Sequence, residues 1–231
     1  MSNESNNDRR DKLAVALDVD DLVVALRMAR DVKPWFGVAK VGLELFAAAG
    51  PDVVGLLSEA GFKVFLDLKL HDIPTTVNKA ARVIGSFGAS YLTLHAHGGP
   101  VMLRAGVDGL NDGAHAAGLP PATALAVTVL TSDRGAPAHI LGQRVASAVE
   151  GKCGGVVCAA ADAQEAKQLA PRLLVAVTGI RAEGTETHDQ ARAATPQQAF
   201  DAGADLVVIG RAVTLASDRA AAAEALLAGL T

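Results

Sequence analysis

The stretch Val64-Phe65-Leu66-Asp67-Leu68-Lys69-Leu70-His71-Asp72-Ile73-Pro74 places two carboxylates around one ammonium group in a run that, His71 apart, is otherwise apolar. Desolvating a charge is costly unless it is paired, so charges at the end of a buried strand point to chemistry rather than solvation. Extended side chains alternate between faces, which puts Phe65, Asp67 and Lys69 on one side and Leu66 and Leu68 on the other. Lys40 sits among apolar neighbours in Val38-Ala39-Lys40-Val41, and Asp18 ends Ala14-Val15-Ala16-Leu17-Asp18. Lys40 beside Asp67 and Lys69 makes a set of alternating charges, in which carboxylate pKa values fall and ammonium groups stay protonated. Such a set suits electrostatic and proton-transfer chemistry; the bland alternative is a structural salt-bridge network.

A second group of residues has the character of an anion site. Val208-Ile209-Gly210-Arg211 runs from an apolar segment into a helix start, where glycine lets backbone approach an anion and Arg offers a two-pronged donor. Thr178-Gly179-Ile180-Arg181 is followed by a polar loop at 182–194 that holds Gln190. Thr131 and Ser132 follow another apolar run. Asp72 lies just before Pro74, where it could instead cap a helix beginning near Thr75. His71, and the in-phase His95 and His97, read as packing or loop-orienting residues more readily than as a base or a metal pair.

These residues need a frame that gathers them. Apolar strand-like runs occur at 13–18, 36–42, 63–69, 90–95, 124–130, 155–159, 173–177 and 205–209. Helical spacing fills the intervals at 22–30, 43–59, 75–87, 100–116, 140–150, 164–169, 196–200 and 213–227. Strand-then-helix alternation calls for parallel pairing, because each strand returns through a helix. Eight such units predict an α/β chain folded as one (β/α)8 TIM barrel over 12–231, with a flexible N-terminal tail at 1–11. Ligand groups in that fold gather at the carboxyl ends of strands, and Asp18, Lys40, Asp67, Lys69, Thr131, Gly210 and Arg211 fall at those ends. An open dinucleotide-binding sheet fails at its diagnostic loop, because Leu17-Asp18-Val19-Asp20-Asp21 stands where a Gly-x-Gly-x-x-Gly would be needed.

Composition removes several function classes. At 231 residues, 50% hydrophobic and 20% charged, the chain is an ordinary globular one. A net charge of −4 without a basic stripe, and aromatic residues at only 3%, disfavour nucleic-acid binding. No apolar window reaches the length of a membrane span, and the polar first eleven residues do not resemble a signal peptide, so a cytoplasmic location is expected. Cys153 and Cys158 lack the spacing and companions of a metal site and read as core thiols.

Taken together, Leu17-Asp18-Val19, the Asp-x-Lys-x-x-Asp run with His71, Ile73 and Pro74, Leu130-Thr131-Ser132, Gly179-Ile180-Arg181, Asp189-Gln190 and Val208–Arg211 resemble the orotidine 5′-phosphate decarboxylase family over nearly the whole chain. The resemblance implies that Lys69 donates a proton to C6 of the pyrimidine as carbon dioxide leaves. Asp67, and Asp72 from a partner protomer, would flank it, and Lys40 would hold the array and reach the ribose. It also implies a homodimer with Thr76 near the crossing point, and a substrate, orotidine 5′-monophosphate. Asp18 would bind a sugar hydroxyl or lie beside the base, Thr131 and Ser132 would contact the pyrimidine, and Arg181, Gln190, Gly210 and Arg211 would surround the 5′-phosphate. No metal, pyridoxal phosphate or thiamine cofactor is implied. Two other readings stay open: a magnesium-dependent sugar-phosphate decarboxylase of the keto-gulonate-phosphate type, and a catalytically silent nucleotide-phosphate binding barrel. Two positions depart from the family pattern, Thr178 in place of a proline and Thr75 in place of an asparagine; the first is expected to loosen the phosphate loop without touching the chemistry at Lys69.

Overall fold

A computed structural model describes residues 9–133, 135–180 and 194–230. Eight strands, β1 (Leu13–Ala16), β2 (Val38–Val41), β3 (Lys63–Leu70), β4 (Tyr91–His95), β5 (Thr123–Val127), β6 (Gly155–Ala159), β7 (Leu174–Thr178) and β8 (Leu206–Ile209), close in sequence order into one parallel barrel. All eight expected runs are strands. Four of them, β1, β2, β6 and β8, are buried along their whole length, as parallel strands covered on both faces can be. Inside the barrel Ala14, Ala16, Val38, Phe65, Leu125, Val157, Ala176 and Val208 form one apolar cluster, with alanines making room for the Phe65 ring. A larger cluster fills the layer between the strands and the surrounding helices.

The helices follow the expected intervals with two corrections. Between β1 and β2 lies α1 (Leu22–Val32), capped by Asp21, whose carboxylate accepts the Val24 N–H at 2.8 Å. The single helix expected over 43–59 is two, α2 (Leu43–Ala49) and α3 (Asp52–Glu59). Gly50, at φ = 65°, ends the first, and Pro51, which has no N–H to donate, starts the second. Next come α4 (Pro74–Gly85), α5 (Gly99–Ala116), α6 (His139–Glu150), α7 (Ala160–Leu169) and α8 (Pro196–Asp201). The helix expected over 213–227 is likewise divided into α9 (Arg211–Thr214) and α10 (Arg219–Leu227), because Asp218 caps the second piece through the Ala221 N–H. Residues 9–11, expected in a flexible tail, form a helical turn: Arg10 O accepts the Gly37 N–H at 2.8 Å and Asp11 pairs with Lys63 at 2.8 Å.

The chain following the Asp67–Lys69 segment is held by an unusually close pair of helices. α4 and α5 approach backbone to backbone, since a Cβ at Gly109 or Gly113 would strike the main chain of Asn78 or Arg82, and one at Gly85 would strike Leu110. The Asn78 side chain donates to Ala105 O at 2.9 Å across the same seam. Gly113→Ala is expected to cost about 1–3 kcal/mol by forcing these helices apart. Thermal unfolding would read this as a fall of roughly 2–4 °C per kcal/mol; an unchanged midpoint would show that the seam yields freely.

Candidate active site

β1, β2 and β3 are neighbours, with Ala16 paired to Lys40 and Lys40 paired to Phe65. Their carboxyl ends therefore deliver Asp18, Lys40 and Asp67 side by side. Lys40 Nζ lies 2.9 Å from Asp18 Oδ1 and 3.7 Å from Asp67 Oδ2, and Lys69 Nζ lies 2.8 Å from Asp67 Oδ1. Lys40 is 7% exposed, so its ammonium depends on these two carboxylates for compensation. Burial on its own would raise the Asp67 carboxyl, but Lys40, Lys69 and hydrogen bonds from Lys69 and Thr93 outweigh it and hold the group below the usual carboxylate range.

Strict alternation holds in β3 only as far as Leu68. The β3–β4 register runs Phe65 to Tyr91 and Leu66 to Leu92, then resumes at Leu70 to Leu94, so β3 carries extra residues at a bulge. Within it Lys69 has φ = 50°, a left-handed conformation that costs a non-glycine residue about 1–2 kcal/mol. Such strain persists where the surroundings enforce it, and it gathers at functional sites. Thr93 Oγ1, fully buried on β4, accepts the Lys69 N–H at 2.8 Å and donates to Asp67 Oδ1 at 3.1 Å.

The array opens into a cavity of about 480 Å³. Asp18, Lys40, Asp67, Lys69, Thr131, Gly210 and Arg211 all line it, so the structure brings these expected residues into one place. Ala16, Val127, Val157 and Val208 supply an apolar floor, suited to a flat uncharged ring. Gly179, at φ = 88°, and Gly210 expose main chain to the cavity beside Arg211, suited to an anion. Such a cavity takes a molecule with a ring at one end and an anionic group at the other.

Other expected residues lie elsewhere. Ser132 is exposed and is not part of the cavity wall, and Thr76 is exposed on the first turn of α4. Asp72 is also exposed and outside the wall of its own chain's cavity; its Oδ1 accepts the Ile73 N–H at 2.6 Å. Nor does it cap α4, which starts without any side-chain cap. Arg181 and Gln190 fall outside the described residues. His97 N–H donates to His95 Nδ1 at 3.2 Å, a loop contact, and His71 stacks on His97 with ring centroids 5.5 Å apart. Burial, reinforced by Arg144 and by neighbouring imidazoles, pushes His95 below the usual histidine range.

Two contributors escaped the sequence reading. Thr93 was signalled only by alternation in Tyr91-Leu92-Thr93-Leu94-His95, which turns a hydroxyl inward. Gly42 follows β2, and a Cβ there would come within 2.7 Å of Asp18 Oδ1 and 3.2 Å of Lys40 Nζ. Its backbone, at φ = −86°, suits any residue, so what glycine supplies is space: a side chain here would displace the tips of the Asp18–Lys40 pair.

The lowered Asp67 pKa makes a pH-dependent contribution to stability. That contribution is complete above the unfolded value of about 3.9 and disappears as pH falls through the lower folded value. Asp67→Asn is expected to cost about 3 kcal/mol at pH 7, by leaving Lys69 without its carboxylate and the buried Lys40 with Asp18 alone, and progressively less below about pH 4. Urea unfolding of both proteins across this range measures the gap, and a gap independent of pH would contradict the assigned ion pairing.

Comparison with known proteins agrees with this geometry. The profile of the orotidine 5′-phosphate decarboxylase / HUMPS family matches residues 11–226. Orotidine 5′-phosphate decarboxylase of Anaeromyxobacter sp. (strain K) is 43% identical, covering 95% of this chain and 98% of its own. The enzyme of the same name from Moorella thermoacetica is 40% identical over 95% of this chain and 92% of its own. Among solved structures, orotidine 5′-phosphate decarboxylase from Lactobacillus acidophilus superposes with a TM-score of 0.79 at 34% identity, covering 94% of this chain and 97% of the other.

Proposed function

The chain belongs to the orotidine 5′-phosphate decarboxylase / HUMPS family, and from that membership we infer that it converts orotidine 5′-monophosphate to uridine 5′-monophosphate and carbon dioxide, a step of pyrimidine nucleotide synthesis. The single observation that carries the chemical assignment is the Lys69 ammonium, 2.8 Å from Asp67 and facing a cavity with an apolar floor. The nucleotide substrate is favoured over a magnesium-dependent sugar phosphate by the names of the relatives and by that floor.

Loss of carbon dioxide breaks the bond from C6 to the carboxylate and leaves its electron pair in the plane of the ring, where the carbonyls delocalise it poorly. Electrostatics must compensate. A unit positive charge about 4 Å from a developing negative one contributes about 4 kcal/mol at an effective dielectric near 20, roughly a thousandfold in rate. Lys69 supplies that charge and then its proton to C6, becoming a neutral amine that solvent reprotonates. Asp67 holds the ammonium in place and is itself held from its other oxygen by Lys40, so little reorganisation accompanies the reaction. In this reading Asp18, paired with Lys40, takes a sugar hydroxyl and Thr131 contacts the pyrimidine, as their positions in the cavity wall allow. Gly210 and Arg211, together with Arg181 and Gln190, hold the 5′-phosphate in this reading, and that remote binding energy orients the ring.

The proposal includes a homodimer. Asp72, exposed and away from its own cavity, lies beside Ile73 and Thr76, and Ile73 is 67% exposed, a surface suited to burial against a second protomer. Asp72 then enters the partner's site and completes the carboxylate pair around Lys69. We place the reaction in the cytoplasm, in keeping with the free, buried Cys153 and Cys158 thiols. No helix among the described residues is long and apolar enough to cross a membrane.

Purified protein in chelator is expected to consume orotidine 5′-monophosphate, followed by loss of orotate absorbance, and Lys69→Ala to lower kcat by about a thousandfold or more. Well-folded protein that leaves this nucleotide intact would overturn the assignment. The dimer predicts complementation: inactive Lys69→Ala and Asp72→Ala proteins, once their subunits are exchanged, regain activity because one site of each mixed dimer is intact. A mixture that exchanges subunits and stays inactive would place Asp72 in its own chain's site.

A further inference from the structure

We propose that Thr93 is a positioning residue for decarboxylation, locking the bulged end of β3 so that the Asp67 carboxylate and the Lys69 ammonium keep their mutual geometry. The inference rests on the reaction assigned above. Thr93 does not line the cavity, so it acts through the two residues that do.

The polarity of its hydrogen bonds is unambiguous. The Lys69 N–H can only donate, so Thr93 Oγ1 accepts there at 2.8 Å, and its single proton goes to Asp67 Oδ1 at 3.1 Å. Asp67 Oδ1 thus receives both Lys69 Nζ and the Thr93 hydroxyl, while Oδ2 turns toward Lys40. One hydroxyl therefore ties the backbone of the proton donor to the side chain of its carboxylate partner. It sits where the ladder loses register, and three β3 residues, Asp67 to Lys69, lie between the pairs at Leu92 and Leu94. Thr93 itself is anchored, paired in register with Leu125 on β5 and fully buried. A β-branched side chain has little χ1 freedom, so the hydroxyl is a fixed reference point for a segment whose own conformation is strained.

Thr93→Val keeps the shape and removes the hydroxyl; Thr93→Ser restores it. Thr128→Val is a control, since Thr128 is equally buried and its hydroxyl donates to Val157 O at 2.9 Å, away from Asp67 and Lys69. With orotidine 5′-monophosphate, Thr93→Val is expected to lower kcat about a hundredfold with KM changed less than about threefold. Its acid limb in the kcat/KM pH profile should move upward, because Asp67 loses a donor to its ionised form. Thr93→Ser should recover kcat to within about tenfold of wild type, and Thr128→Val should stay within about threefold. The proposal is overturned if Thr93→Val keeps wild-type kcat and pH profile, if Thr93→Ser is as impaired as Thr93→Val, or if Thr128→Val loses as much. Inactivity of the wild type itself would instead count against the assigned reaction.

Discussion

An ammonium group at Lys40, buried in the wall of a barrel, is tolerable only while carboxylates compensate it, and this requirement organises the whole mouth of the cavity. Asp18 and Asp67 meet it from the two flanking strands, which is possible because β1, β2 and β3 are consecutive around the barrel. Asp67 in turn stays ionised despite burial because Lys40 and Lys69 approach it from two sides. Each inner member, Lys40 and Asp67, has a partner on either side. The array is therefore held in position before the reaction begins, as electrostatic catalysis needs.

The surrounding fold serves that rigidity with small residues and hydrogen bonds rather than with bulk. Gly42 leaves room for the Asp18–Lys40 pair, and alanines in the barrel interior accommodate Phe65 beneath Asp67. Beyond Lys69, the close seam between α4 and α5 holds the segment that carries Asp72. The strain at Lys69 is localised to one residue, bounded by the ladder at Leu66 on one side and at Leu70 on the other.

Along the adjoining part of the rim, where β8 pairs with β1, Gly179, Gly210 and Arg211 offer main chain and guanidinium above the apolar floor. The anion-type donors and the ion-paired charges thus stand on different strands. An anion held at β7 and β8 can orient a ring over the floor without competing for the charges on β1 to β3.

Much of this was legible in the residues alone. Alternating apolar runs and helical intervals defined eight units, and charges inside strands, where solvation cannot explain them, marked Asp18, Lys40, Asp67 and Lys69. Gly-Arg after the last strand likewise carried its own local meaning. Helix breaks at Gly50-Pro51 and Asp218 were also written locally, but apolar spacing that continued across them masked the signal. What only the tertiary structure decided was the slip between β3 and β4, the left-handed Lys69 and the place of Thr93 between Asp67 and the Lys69 backbone. The physical reason is that periodicity, capping and turn chemistry are properties of a few neighbouring residues, whereas register is set by pairing with a distant strand. Where that pairing shifts, a side chain's partners follow from the neighbour's position and not from its own place in the chain.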